Sequence, residues 1–272
     1  MAIPMLRLKT GHDMPQLGLG TWQLRGQQCV EAVTAAIEMG YNHIDTADMY
    51  GNHREVGEAL QQFDRSEIFV TSKVPPENLR HDDLIATCER NLQELRLDYL
   101  DLYLVHWPNP DIPMEETFAA LAELVDRKFV RSVGVSNFTI ALLDRGMEIS
   151  GAPICVNQVE FHPMLYQKDL LDFCSDNDVL LTAYCPLART QALQLDTIQA
   201  LAEKYDRKPA QVCLRWLMQK DIIAIPKSKS PQRLDENMQI FDWVLSDEDE
   251  AAIDDIETHQ RLVTAHWVDF PD

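Results

Sequence analysis

The chain has 272 residues, 46% hydrophobic and 25% charged, with 24 basic against 44 acidic side chains and a formal net charge of −20. The length fits one α/β barrel of about 250 residues, and the charge argues against nonspecific binding to nucleic acid or an anionic membrane surface. The opening MAIPMLRLKT lacks the apolar run of a signal peptide and no stretch of about 18 apolar residues follows, so the cytoplasm is the expected compartment.

Taken in chain order, short β-rich runs alternate with amphipathic helical patterns. After an N-terminal segment ending in Pro15, the predicted strands are Leu17–Gly20, His43–Thr46, Ile68–Lys73 and Leu100–His106, then Ser132–Ser136, Ile154–Gln158, Val179–Tyr184 and Ile222–Pro226. Helical patterns cover Val30–Met39, Asp83–Leu95, Met114–Arg127, Ile140–Ile149, Lys168–Asp176 and Thr197–Tyr205. No Ser- or Gly-rich linker divides them, so residues 1–272 read as one domain. Strand-to-helix alternation implies a parallel sheet, and eight units predict a (β/α)8 (TIM) barrel. An open doubly wound sheet would carry a glycine fingerprint after an early strand, and Gly18-Leu19-Gly20 lacks the third glycine. An extra C-terminal helix is expected over about Ser246–Thr258, with Ser246 as N-cap and Asp247, Glu248 and Asp249 at its positive end. Six cysteines (Cys29, Cys88, Cys155, Cys174, Cys185, Cys213) lie far apart without C-x-x-C or metal spacing, which reads as reduced thiols.

In a barrel, side chains at the carboxyl ends of the strands converge on one mouth. The polar residues there are Asp45, Lys73, His106, Ser136, Asn137, Gln158 and Tyr184, with Tyr50 just beyond the second strand. Each has a bland alternative: Asp45 a helix cap, Lys73 a snorkelling strand end, His106 a loop histidine bonded to backbone, Tyr50 a rim aromatic. What favours function is that four strand ends carry groups able to move or orient a proton.

The segments HIDTADMYGN, FVTSKV, LDLYLVHWP, VGVSNF, VNQVEFHP and IPKS, in this order along nearly the whole chain, resemble those of the aldo-keto reductases. The short length is similar to that of the bacterial 2,5-diketogluconate reductase branch. The resemblance implies NADPH-dependent reduction of aldehydes or ketones, such as keto sugars or α-ketoaldehydes, with a tetrad of Asp45, Tyr50, Lys73 and His106 and no metal. Tyr50 is then the proton donor; Lys73 lowers its pKa, Asp45 holds Lys73, and His106 orients the carbonyl. The resemblance further implies that Ser136, Asn137 and Gln158 hold the nicotinamide carboxamide and that Tyr184 stacks on the ring. Gly20, Thr21, Cys185 and Leu187 are expected along the cofactor. Cys185 stands where the family usually has Ser, and a thiol is a weaker hydrogen-bond partner. Lys227, Ser228 and Arg233 match the family's contacts to the 2′-phosphate, with Lys229 a possible extra cation, and Glu236 and Asn237 those to adenine. A strand-end loop entering a helix suits a phosphate on physical grounds as well.

Trp22 and Trp107 are expected to line the carbonyl's approach. The loops Pro108–Met114 and Pro186–Gln194 and the tail His259–Asp272 are short, which predicts an open site for small polar carbonyls. A monomer is what the family implies. Two other functions compete: a Schiff-base aldolase using Lys73 as nucleophile, and a cofactor-binding regulatory subunit.

Overall fold

The computed structural model describes residues 2–270, so the last two residues of the expected tail lie outside it. The chain opens with a hairpin that the sequence reading left unassigned. Strand β1 (Met5–Arg7) pairs antiparallel with β2 (Asp13–Pro15) around a turn at Gly11, whose φ of +82° suits a residue without Cβ. Eight parallel strands follow: β3 (Leu19–Gly20), β4 (His43–Asp45), β5 (Phe69–Val74), β6 (Leu100–Val105), β7 (Val130–Ser136), β8 (Ile154–Glu160), β9 (Leu180–Tyr184) and β10 (Ile223–Ala224). Each pairs with its sequence neighbour. A parallel bridge between Leu17 and Ala224 joins the two edges, with the Gly18 and Ala224 amides donating to Ala224 and Gln16 carbonyls at 2.9 Å. The expected (β/α)8 barrel is therefore the observed one.

Helices α1 (Gly26–Glu38), α2 (His53–Leu60), α3 (His81–Leu95), α4 (Met114–Asp126) and α5 (Ile140–Ile149) wrap the first half. The second half carries α6 (Lys168–Asp176), α7 (Asp196–Lys204), α8 (Pro209–Gln219), α9 (Pro231–Met238) and α10 (Asp247–Asp254). The periodicity reading named neither α2 nor α8. The first has only eight residues, and the second is so buried, with Val212, Cys213, Leu214, Trp216 and Leu217 all inside, that it shows little polar face to set a period. Ser246 caps α10 as expected, accepting from the Asp249 amide, but the helix stops at Asp254, short of the predicted Thr258.

Two apolar cores divide the molecule. The larger lies between strands and helices; the smaller fills the amino end of the barrel, where Leu8 and Met14 of the hairpin region meet Phe69, Leu102, Leu104, Cys155, Val156 and Ile223. The hairpin thus plugs one end, and Thr10 and Ser132 hydroxyls meet at 2.6 Å beneath it. Polar side chains are left to the other end.

The seam between β3 and β10 is tightly closed. A Cβ on Gly20 would lie 2.6 Å from the Ile225 carbonyl oxygen, a backbone atom that cannot yield without opening the barrel. Gly20→Ala is expected to cost about 1–3 kcal/mol, the range for overpacking. Urea unfolding should show a lower midpoint with an unchanged slope; an unshifted midpoint would mean that the seam is slack.

Candidate active site

Asp45 ends β4 and Lys73 sits one residue before the end of β5, so neighbouring strands bring them to the same mouth. Lys73 Nζ donates to Asp45 Oδ1 at 2.6 Å and to the Thr46 carbonyl at 2.9 Å, and lies 3.4 Å from the Tyr50 hydroxyl. Lys73 is 0% and Asp45 1% exposed, which excludes a snorkelling lysine. Gln158, reaching from β8, donates to Asp45 Oδ2 at 2.8 Å. Both carboxylate oxygens are therefore engaged. Tyr50 comes from a short 3-10 turn, Asp48–Tyr50, just after β4. His106 follows β6, and its ring meets the Tyr50 ring edge-on with centroids 5.7 Å apart.

The protonation states follow from these surroundings. Burial first, then the charge of Lys73, pushes the His106 imidazole well below its usual 6.5, so it is neutral at pH 7. Its Nδ1 is buried with no hydrogen-bond partner. A buried N–H without an acceptor is the costlier orphan, so the proton belongs on Nε2. Burial lowers the Lys73 ammonium, while the charge and hydrogen bond of Asp45 hold it up. The Tyr50 phenol departs from the sequence reading. Burial and the Asp45 charge raise it well above 10, where Lys73 was expected to lower it. The reason is geometric: Lys73 spends its charge on Asp45 at 2.6 Å and stands off from the phenol at 3.4 Å. At neutral pH the phenol is protonated, as a proton donor must be.

The expected carboxamide-binding residues form one connected group. Ser136 ends β7 and donates to the Gln158 carbonyl at 2.7 Å. Asn137, at φ +64°, donates to the His106 carbonyl at 2.9 Å and accepts from the Tyr184 hydroxyl at 2.8 Å. Cys185 follows at φ +50°, half-buried, with its thiol raised by burial and the Glu160 charge. Thr21 is buried and donates from its hydroxyl to the Asp45 carbonyl at 3.0 Å; Gly20 lies beside it at the seam, and Leu187 is half-buried beyond Cys185.

The basic stretch lies between β10 and α9. Lys227, Lys229 and Arg233 are exposed, and none makes an ion pair with a described residue. Ser230 caps α9 by accepting from the Arg233 amide, and Ser228 Oγ accepts from the Ser230 amide at 3.1 Å. Glu236 is half-buried, whereas Asn237 is buried beside the Tyr41 hydroxyl. That amide already has a neighbour inside the protein.

At the rim, Trp22 is 44% exposed with the Arg189 guanidinium 5.9 Å from its ring centre. Trp107 is half-buried, and Phe270 meets it edge-on at 6.2 Å. The short tail therefore folds back onto the mouth. Two residues there escaped the sequence reading, Glu160 and His162, both fully buried and joined at 2.8 Å. The available signal was a carboxylate inside the apolar run VNQVEF, at an inward-facing position two residues after Gln158.

With this geometry in hand, comparisons with known proteins agree along the whole chain. The model of the Aldo/keto reductase family matches residues 16–258. The glyoxal reductase of Bacillus subtilis (strain 168) is 40% identical over 260 residues, 94% of either chain. Aldo-keto reductase family 1 member A1-A of Danio rerio is 38% identical over 294 residues, covering 95% of this chain and 91% of its own. Among solved structures, a putative 2,5-diketo-D-gluconic acid reductase B superposes with a TM-score of 0.93 at 36% identity, over 98% of this chain and 95% of its own. A Bombyx mori aldo-keto reductase in complex with NADP superposes at 0.91 with 31% identity, over 97% and 96%. The chain belongs to the aldo/keto reductase family of NADP-dependent oxidoreductases.

Proposed function

We propose that this protein reduces small polar carbonyls, keto sugars or α-ketoaldehydes among them, with NADPH as reductant and Tyr50 as proton donor. The observation that carries the reading is the chain of contacts from Gln158 through Asp45 and Lys73 to Tyr50, with His106 against the phenol ring. The residues present fit the cofactor. Three exposed cations without ion-pair partners stand at a capped helix start, in a protein of net charge −20. Lys227, Lys229, Ser228 and Arg233 would hold the 2′-phosphate there, and Ser136, Asn137 and Gln158 the carboxamide.

When bound, NADPH supplies the hydride. The chain's own groups deal with the charge that builds on the carbonyl oxygen. His106 presents a neutral ring whose N–H points the oxygen toward Tyr50. Tyr50 gives up the phenolic proton, and the Lys73 ammonium stands ready to stabilise the phenolate left behind. Asp45, held by Gln158, fixes Lys73 in that place.

The Schiff-base alternative finds no support, since a fully buried lysine locked to Asp45 is neither neutral nor reachable. Nor do the relatives favour a regulatory subunit. A monomer is the state the family implies. Six unpaired thiols, five of them buried, fit the reducing cytoplasm.

Three outcomes test the reading. Tyr50→Phe should keep NADPH binding and lose about 10²-fold or more in kcat; near-normal turnover would remove Tyr50 from its role. The pH profile follows from the direction of the phenol shift. Donation needs the protonated form, present below the pKa, so a raised pKa carries activity upward. The kcat/KM for reduction should be level through neutrality and hold beyond pH 10, the ordinary value of a phenol, without a histidine inflection near 6.5. A fall beginning at pH 7 would contradict the assigned states. Finally, each charge-assisted hydrogen bond to the 2′-phosphate contributes about 1.5–3 kcal/mol. Arg233→Ala should therefore raise the KM for NADPH about tenfold or more and hardly change that for NADH, and the wild-type preference should weaken with salt. A variant that weakens both coenzymes alike would show that the cluster does not read this phosphate.

A further inference from the structure

Among the buried carboxylates that the proposed chemistry leaves unused, Glu160 is the most deeply buried. Glu160 ends β8 at 0% exposure, and its carboxylate is met by a histidine and two backbone amides. Its Oε1 accepts from His162 Nε2 at 2.8 Å and from the Leu262 amide at 2.8 Å; its Oε2 accepts from the Val263 amide at 2.8 Å. Two of these three donors belong to the C-terminal segment, about a hundred residues away in sequence. A buried carboxylate is expensive unless fully hydrogen-bonded, so this site binds the segment tightly or is itself destabilised.

What the segment does next ties it to the pocket. Beyond Val263, Trp267 Nε1 donates to the Pro108 carbonyl at 2.9 Å, and Phe270 packs edge-on against Trp107. Trp107 and Pro108 directly follow His106. On the same strand, Gln158 reaches Asp45. Strand β8 therefore touches the Asp45–Lys73 pair with Gln158 and, two positions on, the segment that leads to the pocket's outer wall with Glu160.

We propose that Glu160 is a positioning residue for substrate selection, its carboxylate anchoring Leu262 and Val263 so that Trp267 and Phe270 form a fixed wall against Trp107 and Pro108. This rests on the reading of the Trp22–Trp107 rim as the substrate's approach. A small dicarbonyl reaches Tyr50 without touching that wall. A larger carbonyl leans on it.

The test compares methylglyoxal with 4-nitrobenzaldehyde, together with amide hydrogen exchange. Glu160→Ala should remove protection at the Leu262 and Val263 amides and raise the KM for 4-nitrobenzaldehyde about tenfold, the size of one lost pocket contact. The KM for methylglyoxal should stay within about twofold, and the Kd for NADPH should not move. Glu160→Gln has one carbonyl oxygen, which belongs where two donors converge; protection should survive at Leu262, fail at Val263, and the aromatic KM should be intermediate. Trp267→Phe is the variant least able to harm the fold. It should reproduce the size-dependent KM change more weakly while both amides stay protected.

Unchanged protection in a folded Glu160→Ala, or an equal loss for both substrates, would overturn the proposal, the second because a merely structural role predicts it. Trp107→Ala separates the two readings. If it leaves the KM of both substrates unmoved, the rim is not the substrate's approach and the selection role falls with it, while loss of amide protection in Glu160→Ala would still identify the anchor.

Discussion

A lysine and an aspartate with almost no exposure, 2.6 Å apart, are the contact on which the site depends. Removing two ions from water costs several kcal/mol each, and the cost is offset only when every remaining donor and acceptor is engaged. Here the Thr46 carbonyl takes a second Lys73 proton and Gln158 takes the second Asp45 oxygen. That last bond joins residues 113 positions apart, across the barrel rather than along it. It forms only if the sheet closes, so the Gly20–Ile225 seam and the ion pair at the mouth support the same geometry. Closure is thus a condition of the geometry at the mouth as well as of the fold.

The two ends of the barrel are made of different material. The hairpin-plugged end is apolar, and its packing leaves the strands little freedom to slide. The other end is built of hydrogen bonds between strand-end side chains, and it carries backbone strain. Asn137 and Cys185 both adopt left-handed φ where β7 and β9 turn outward. Such conformations persist when their surroundings over-determine them. Asn137 is held by the His106 carbonyl and the Tyr184 hydroxyl, so three strand ends keep one turn in place. A rigid floor beneath a strained, cross-linked rim keeps Tyr50 and His106 in register.

Much of this was legible in the residues, for reasons that can be stated. Alternation of short β-rich runs with amphipathic helices gave the barrel because each strand pairs with its sequence neighbour. That Asp45, Lys73 and His106 gather at one mouth was legible because polar residues closing apolar strands have one place to go. The buried helix α8 escaped, since it lacks a polar face to set its period. The Tyr50 shift runs opposite to the expected one, because the sequence pairs Lys73 with Asp45 but does not say how deeply the phenol is buried. Glu160 was overlooked for a related reason: its partners are backbone amides of a distant segment, and backbone donors leave no trace in a residue pattern.

The overall charge gains meaning when set beside the pairing of the cations. Many basic side chains are engaged with neighbouring carboxylates, as Arg65 is with Asp101, Arg145 with Glu115 and Glu148, and Lys220 with Glu250 and Asp254. Lys227, Lys229 and Arg233 stand apart as exposed cations gathered at one loop and helix start. At physiological ionic strength, screening fades an exposed charge over about 8 Å. A phosphate arriving at this loop therefore feels the three nearby cations more than the excess carboxylates spread over the rest of the surface. A strongly acidic surface and a local cluster of cations coexist because the first acts at distances that salt screens and the second at contact.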